Sequence, residues 1–386
     1  MKHYSIPSLL LAASLLFTGC DEPGQIVWKN KGHEKAAGIA QLNDGNYCIL
    51  GSHCMDDGVT DFVAITYDSA GQIKWTKTYG GSAYDSAHAI KATPDGGAIL
   101  AGYTESYGIG ENDDIWNVWV IKIDKTGAMQ WNSSAGTLQH DEAADIALTA
   151  DGGYIAAGYT HQESNPGIYA VKFSATGAVE WTKSYGHGCA SSIAATNDGN
   201  FIITAQDRIS FYDQLTDISI VKIDPAGNII WDRTVGTSQH DRPGRTAVLS
   251  DGSIIIAGNT IKSDGFTNNT GLVIKTDAAG TVQWTKELAL TSGGAVTCVA
   301  QGSDGNIIIA GDSCPDGSYN DFWIVKLDKS GKELWNKTHG TGATDTLAGI
   351  LIDSADAIVL GGDTLTDALM YKFDLLGIRL TPDGDM

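Results

Sequence analysis

Residues 304–335 read DGNIIIAGDSCPDGSYNDFWIVKLDKSGKELW. An Asp-Gly pair opens the stretch, an apolar run ends in glycine, and a loop leads to a second apolar run, Asp-x-x-Gly and a closing tryptophan. Asp-Gly between apolar runs is a strong hairpin signal, with both turn residues expected at positive φ. Asp-x-x-Gly supplies a type I turn, Asp at its first position and Gly at its last. The runs NIIIAG and DFWIVKL are almost continuously apolar, as a strand buried on both faces must be.

The same grammar recurs through the chain. Closing tryptophans stand at Trp28, Trp75, Trp131, Trp181, Trp231, Trp284 and Trp335, 47 to 56 residues apart. Asp-Gly turns begin at Asp44, Asp95, Asp151, Asp198, Asp251 and Asp304, with a decayed copy at Ala355-Asp356. Seven residues after each come Gly51, Gly102, Gly158, Ala205 as the exception, Gly258, Gly311 and Gly362. The Asp-x-x-Gly turn recurs at Asp68, Asp124, Ser174, Asp224, Asp277, Asp328 and Asp374. Four markers in register define seven repeats, each reading as four short strands, and no stretch has a helical period of useful length.

Stacked four-stranded units predict an all-β fold, a seven-bladed β-propeller of antiparallel blades. The first three strands occur seven times, but the fourth has eight candidates, counting Gly377–Leu380. QIVWKNKG at the start fits the pattern better than GIRL at the end, so residues 25–31 are expected to close the ring as the last blade's fourth strand. The predicted division is a lipoprotein signal peptide over 1–19, a lipidated cysteine and short tether over 20–24, and one propeller over 25–386.

The leader rests on Ile6 to Phe17, a largely apolar run of twelve residues after Lys2 and His3. This is short for a membrane span and right for a signal-peptide core. It ends Leu-Phe-Thr-Gly-Cys, which resembles the lipobox of bacterial lipoproteins, with Phe17 in place of the usual leucine and Cys20 as the acylated residue. The implied location is the bacterial cell envelope, lipid-anchored. The net charge of −21 loses only Lys2 with the leader and becomes −22. Such a surface excludes nucleic acid as a partner and leaves the lipid as the only membrane attachment. Beyond Cys20 lie Cys48, Cys54, Cys189, Cys298 and Cys314, without zinc-site spacing and expected as mostly buried free thiols. Glycine at 47 against 8 prolines fits many tight turns, and 42% hydrophobic content supplies a core. A monomer is expected.

Over residues 25–380 the repeats resemble the SBBP-type seven-bladed propeller repeats of bacterial lipoproteins and secreted proteins. The segment IVKLDKSGKELW also resembles the tryptophan-docking repeat of pyrroloquinoline-quinone dehydrogenases and of an outer-membrane assembly lipoprotein. The resemblance implies that the tryptophans are structural and lie between blades. It implies a shared building device rather than shared chemistry.

Function is sought where the repeats depart from one another. The Asp-Gly and Asp-x-x-Gly turns share one end of every blade; the second-to-third-strand loops and the crossovers share the other. Variable loops on a rigid scaffold favour binding, so the crossover face is the candidate. Ten residues before each Asp-Gly position lie Glu34, Asp85, Asp141, Gly188, Asp241, Gly294 and Asp345, preceded by His33, Tyr84, His140, His187, His240, Gly293 and Thr344. Two readings stay open for this collar. Its acids and imidazoles could hold a cation or a polar ligand at the channel mouth, or each acid could cap its own turn by accepting backbone N–H bonds.

Blade four adds Arg208, Phe211 and Tyr212 in its long loop, the residue types of binding hot spots. Blade two carries ESYGIGENDDIW (105–116), where Glu111, Asp113 and Asp114 could take Ca²⁺; no other cofactor is expected. G-x-S-x-G, H-E-x-x-H and Walker motifs are absent. The expected function is a non-catalytic binding or assembly scaffold for a protein or glycan. The alternative is a carbohydrate-active enzyme using carboxylates at the channel mouth.

Overall fold

The computed structural model describes residues 26–29, 34–55, 58–108, 115–161, 166–207, 216–261, 269–290, 294–314, 317, 319–367 and 372–386. These residues form seven antiparallel four-stranded sheets and no helix. Blade one consists of Glu34–Gln41, Tyr47–Cys54, Thr60–Tyr67 and Ile73–Tyr79, ordered from the axis outward. Blades two to six repeat that order, with innermost strands Asp85–Ala92, Asp141–Leu148, Cys189–Ala195, His240–Val248 and Ala295–Gln301. Blade seven contains Asp345–Ile352, Ile358–Asp367 and Lys372–Leu380, and Ile26–Lys29 is its fourth strand. The ring closes through the N-terminal strand, as its better match to the repeat predicts.

Two sequence expectations change at this closure. Asp374 and Gly377 form no turn: both lie inside the strand Lys372–Leu380, so GIRL belongs to the third strand. The turn comes later, at 381–384, where Gly384 N donates to Thr381 O at 2.9 Å. Trp28 stands opposite Gly377, with Ile26 opposite Arg379. In the other blades the tryptophan stands opposite the position of Arg379, as Trp131 does opposite Lys122. A fourth strand with no turn joining it to the third is free of the register a hairpin imposes.

The Asp-Gly turns also differ from expectation. Only the glycine is left-handed, as at Gly45 (φ 83°), whose N–H donates to Leu42 O while Leu42 N donates to Asn46 O. That is a type I turn followed by a bulge glycine, and the Asp-x-x-Gly turns use the same device. In the decayed copy Asp356 takes the glycine's place at φ 63°.

Between each pair of neighbouring blades lies one hydrophobic cluster, seven in all among the described residues. Strands such as Asn117–Ile123 are buried at every position because both faces meet another blade. Phe62 of blade one meets Trp119 of blade two edge-on at 4.9 Å, both out of contact with solvent. Each such side chain contributes roughly 2–3 kcal/mol on burial.

The repeated markers have separable causes. The glycine of the second strand is required by close approach: a Cβ at Gly158 would lie 1.9 Å from the carbonyl oxygen of Glu142 on the bulged innermost strand. The tryptophans dock on the turn glycine of the next blade. A Cβ at Gly177 would fall 2.6 Å from the Trp131 ring, and Trp131 Nε1 donates to Ala175 O in the same turn at 3.2 Å. Trp75, Trp181 and Trp284 make the equivalent bond to Lys125, Pro225 and Lys329.

A further repeat is ionic. Buried Lys122, Lys222 and Lys326 reach Asp95, Asp198 and Asp304 of the Asp-Gly turns at 2.7–2.8 Å, and Lys172 reaches Asp151 at 2.6 Å. In blade seven Arg379 pairs with Asp353 at 2.8 Å. These pairs tie the third strand to the inner hairpin turn, and their recurrence marks them as architecture.

Candidate ligand site at the crossover face

Four of the five collar acids are spent on the crossovers, while Glu34 lies 3.6 Å from His53. Asp85, Asp141, Asp241 and Asp345 are each 0% exposed. Asp345 Oδ2 accepts the N–H of Thr341 at 2.6 Å and its Oδ1 the Thr341 hydroxyl at 2.8 Å. Asp241 caps Thr237 in the same way, Asp141 accepts both the N–H and the hydroxyl of Thr137 on Oδ2, and Asp85 takes the Gly81 N–H and the Ser106 hydroxyl. Each carboxylate thus closes the loop four residues before it, the arrangement that local side-chain-to-backbone bonding favours.

Among the collar's aromatic and imidazole members, Tyr84 and His187 are exposed and His240 is half-buried on the blade-five strand. His33, Arg208, Phe211, Tyr212, Glu111, Asp113, Asp114 and Cys20 lie outside the described residues. Among the described residues no group of three His, Cys, Asp or Glu side chains is arranged to hold a metal. None of their five cysteines is in a disulfide: Cys48 and Cys298 are buried, Cys189 and Cys314 half-buried, Cys54 exposed. Burial pushes the Cys48 thiol up to about 12.

His140 is drawn into a cluster that the collar alone does not define. The residue after the second-strand glycine runs Ser52, Tyr103, Tyr159, Gln206, Asn259, Asp312 and Asp363 around the ring. Four of these strap one blade to the next. Ser52 accepts the N–H of Ala87 at 3.0 Å, Asn259 that of Val296 at 2.8 Å, Asp312 that of Leu347 at 2.6 Å and Asp363 that of Ala36 at 2.9 Å. Blades two and three carry tyrosines there, and an aromatic wall replaces the strap.

Tyr103 stacks on Trp116 with centroids 4.8 Å apart and planes at 20°. His140 lies 4.7 Å from the Trp116 ring, His161 6.3 Å from it, and Tyr159 5.1 Å from His161. On the channel side, His88 meets Tyr103 at 5.7 Å. The indole N–H of Trp116 donates to Glu105 Oε1 at 2.6 Å, and the Trp116 backbone N–H to His140 Nδ1 at 3.2 Å. Burial first, then the charges of Glu142, Glu105 and Asp85, hold the Tyr103 phenol above its usual range. Exposed Tyr84, Tyr107 and Leu138 belong to the adjoining loops.

Inward of this wall the channel is crossed. A cavity of about 100 Å³ on the axis is lined by residues of all seven innermost strands, among them Lys91, Asp145 and Arg245. Arg245 of blade five donates to Asp145 Oδ1 of blade three at 3.0 Å, to Ala144 O at 3.1 Å and to His88 O of blade two at 2.9 Å. Lys91 stands 3.5 Å from the same carboxylate, whose other oxygen accepts the Ser192 hydroxyl at 2.9 Å. Burial raises the Asp145 carboxyl, but Arg245, Lys91 and the hydrogen bonds outweigh it and hold it below the usual range.

Sequence reasoning missed both groups, although a signal was present. The fifth residue of each innermost repeat runs Gly38, Ala89, Asp145, Ser192, Arg245, Cys298 and Gly349. One acid and one base stand out in a column of small residues, as the two tyrosines stand out in the strap column.

No family model matches the chain. It is 25% identical over 185 residues to "Regulatory protein FlaEY" of Caulobacter vibrioides, covering 42% of this chain and 19% of that protein. The chain therefore spans about a fifth of that relative's length. Among solved structures it is similar to the "Dos1 propeller" (TM-score 0.57, 10% identity, 92% of this chain and 95% of that one). It is also similar to Sqt1 from Chaetomium thermophilum (TM-score 0.51, 14% identity, 87% and 83%). Those likenesses establish the propeller fold.

Proposed function

We propose that this chain is a non-catalytic binding scaffold whose crossover face, at blades two and three, receives a protein or glycan partner. The single observation behind this reading is the replacement of inter-blade straps by the Tyr103–Trp116–His140–His161 wall beside exposed loop residues. Clustered aromatics with polar handles are typical of recognition surfaces. The partial relative bears a regulatory name, a role that a scaffold can fill. The enzymatic alternative would draw on Asp141 and Asp241, whose carboxylates are buried in loop caps.

The same proposal includes acylation of Cys20 in a bacterial envelope. Ile26 lies opposite Arg379, next to the 381–384 turn, so the first described strand enters from the tight-turn end. Six residues from Cys20 reach at most about 20 Å. A lipid there would hold the tight-turn face toward the bilayer and present the crossover face outward.

The test is a defined array of envelope glycans and synthetic peptides, probed with the wild type and with Trp116→Ala. Binding lost in the variant at unchanged melting temperature supports the reading; no array member whose binding depends on the crossover face sinks it. Palmitate labelling, with Cys20→Ser as control, tests the anchor independently.

A further inference from the structure

Resting on that reading, we propose that the cluster of Tyr103, Trp116, His140 and His161, flanked by Glu105 and Glu142, takes a cationic side chain, Arg or Lys, from a basic protein partner. Three features of the cluster select this class. The first is the fixed presentation of its largest ring: Glu105 holds the indole N–H of Trp116, while Tyr103 stacks against it. An aromatic face attracts a cation, and an anion in the plane of the ring strengthens that attraction.

The second feature is charge. Glu105, Glu142 and Asp85 all act on Tyr103, and the nearby bases of the channel, Lys91 and Arg245, are already directed at Asp145. The chain as a whole carries −21. An acidic patch on an acidic protein steers basic partners toward it and turns acidic ones away. A neutral glycan gains the stacking surface but nothing from the charge.

The third feature counts against a transition metal as occupant, and among the described residues no three His, Cys, Asp or Glu side chains are arranged to hold one. His140 Nδ1 accepts the backbone N–H of Trp116, so the neutral ring carries its proton on Nε2. Neither nitrogen then offers a free lone pair to a metal ion. The Nε2–H is left as a donor, suited to a backbone carbonyl of the peptide that brings the cation.

The experiment titrates the intact protein with a neutral oligosaccharide and with capped Gly/Ser peptides containing three Arg, three Lys, three Gln or three Glu. It follows heat and tryptophan fluorescence at about 20 mM and about 200 mM NaCl, concentrations that differ about threefold in screening length. The Arg and Lys peptides should bind, the Gln and Glu peptides should not, and affinity should fall several-fold at the higher salt. Trp116→Ala should weaken binding about tenfold or more, and Glu142→Gln about three- to tenfold, ranges set by cation–π and charge-pair strengths. Glu142 is partly exposed, so its variant keeps the fold and serves if Trp116→Ala does not. Equal binding of the Gln peptide, or salt-independent binding of a neutral oligosaccharide lost in Trp116→Ala, would overturn the cationic partner and leave the scaffold intact. If no peptide or glycan responds to either substitution, the scaffold reading itself falls.

Discussion

Arg245 and Asp145 meet across the axis of the propeller at 3.0 Å, joining blade five to blade three through a space that the other five blades line with small or apolar residues, Lys91 of blade two excepted. The carboxylate is 2% exposed and takes charge or hydrogen bonds from Arg245, Lys91, Ser192, Ile193 and Ile146. Blade five has made room for the arginine. Its innermost strand breaks register between Pro243 and Thr246, a wider interruption than the one-residue bulge of its counterparts.

Removing the arginine alone should therefore be costly. Arg245→Ala leaves Asp145 buried with only the more distant Lys91 as counter-charge, and breaking one side of a buried pair costs about 3–5 kcal/mol. Asp145→Asn with Arg245→Met should recover most of that loss. Urea unfolding of the single and double variants checks it. A double variant no more stable than Arg245→Ala would mean that the arginine's backbone contacts to His88 and Ala144, not the ion pair, carry the effect.

The tryptophan docks make a second comparison available. Gly45 and Gly177 both sit at positive φ, 83° and 86°. A Cβ at Gly45 meets nothing within 4 Å, whereas one at Gly177 strikes the Trp131 ring. Gly45→Ala should cost about 1 kcal/mol, the left-handed backbone penalty alone. Gly177→Ala should cost about 1–3 kcal/mol more, because the ring must leave its site. Equal losses in thermal melting would mean that the inter-blade dock yields freely.

These cases bear on how much the sequence discloses. Blade number and ring closure were legible because turns and tryptophans recur, and QIVWKNKG visibly repeats the fourth strand. The backbone of the Asp-Gly turn was not, since a type I turn with a bulge glycine and a type I′ turn use the same residues. The Asp374 turn was misplaced because a chance Asp-x-x-Gly lies inside a strand, while Thr381-Pro-Asp-Gly384, lacking the leading Asp, does the turning. The collar was legible as a column, but which way its carboxylates point depends on the Thr or Gly four residues earlier. Arg245 and Asp145 lie one hundred residues apart, and only the curvature of the ring brings them together.

Stability should rise as the pH falls from about 8 toward 5. Burial, followed by Asp363 and Asp345, raises the Asp312 carboxyl to about 7, and burial with Asp345 raises that of Asp363 to about 6. In the unfolded chain both lose their protons near the ordinary value of about 4. Between these limits the folded protein binds more protons, so each group destabilises it by up to about 1.4 kcal/mol per pH unit as pH rises. Asp312→Asn removes one contribution while keeping the strap, because Asn259 accepts the equivalent N–H in blade five. The variant should be more stable than wild type at pH 8 and show a shallower slope. An unchanged slope in urea midpoints from pH 5 to 8 would place the titration elsewhere. Below pH 4 the trend reverses, since the unfolded chain then takes up protons that Asp95 and Asp151, held at about 2 in the fold by bonds to Lys122, Lys172 and neighbouring hydroxyls, do not.

The capping role of the collar acids separates architecture from catalysis in one set of variants. Asp141 and Asp241 belong to blades three and five and share no partner, so their losses should add. Each Asp→Ala change takes away the carboxylate that accepts from the N–H and hydroxyl of a threonine four residues earlier, and should cost about 1–3 kcal/mol. Thr137→Ala, which removes only the hydroxyl and keeps the backbone N–H bond, should cost less than Asp141→Ala. A catalytic acid would behave in the opposite way, because functional carboxylates are commonly neutral to stability or harmful to it. If the Asp141→Ala, Asp241→Ala protein melts at or above the wild-type temperature, the caps are not what keeps these aspartates, and a role at the channel mouth regains its footing.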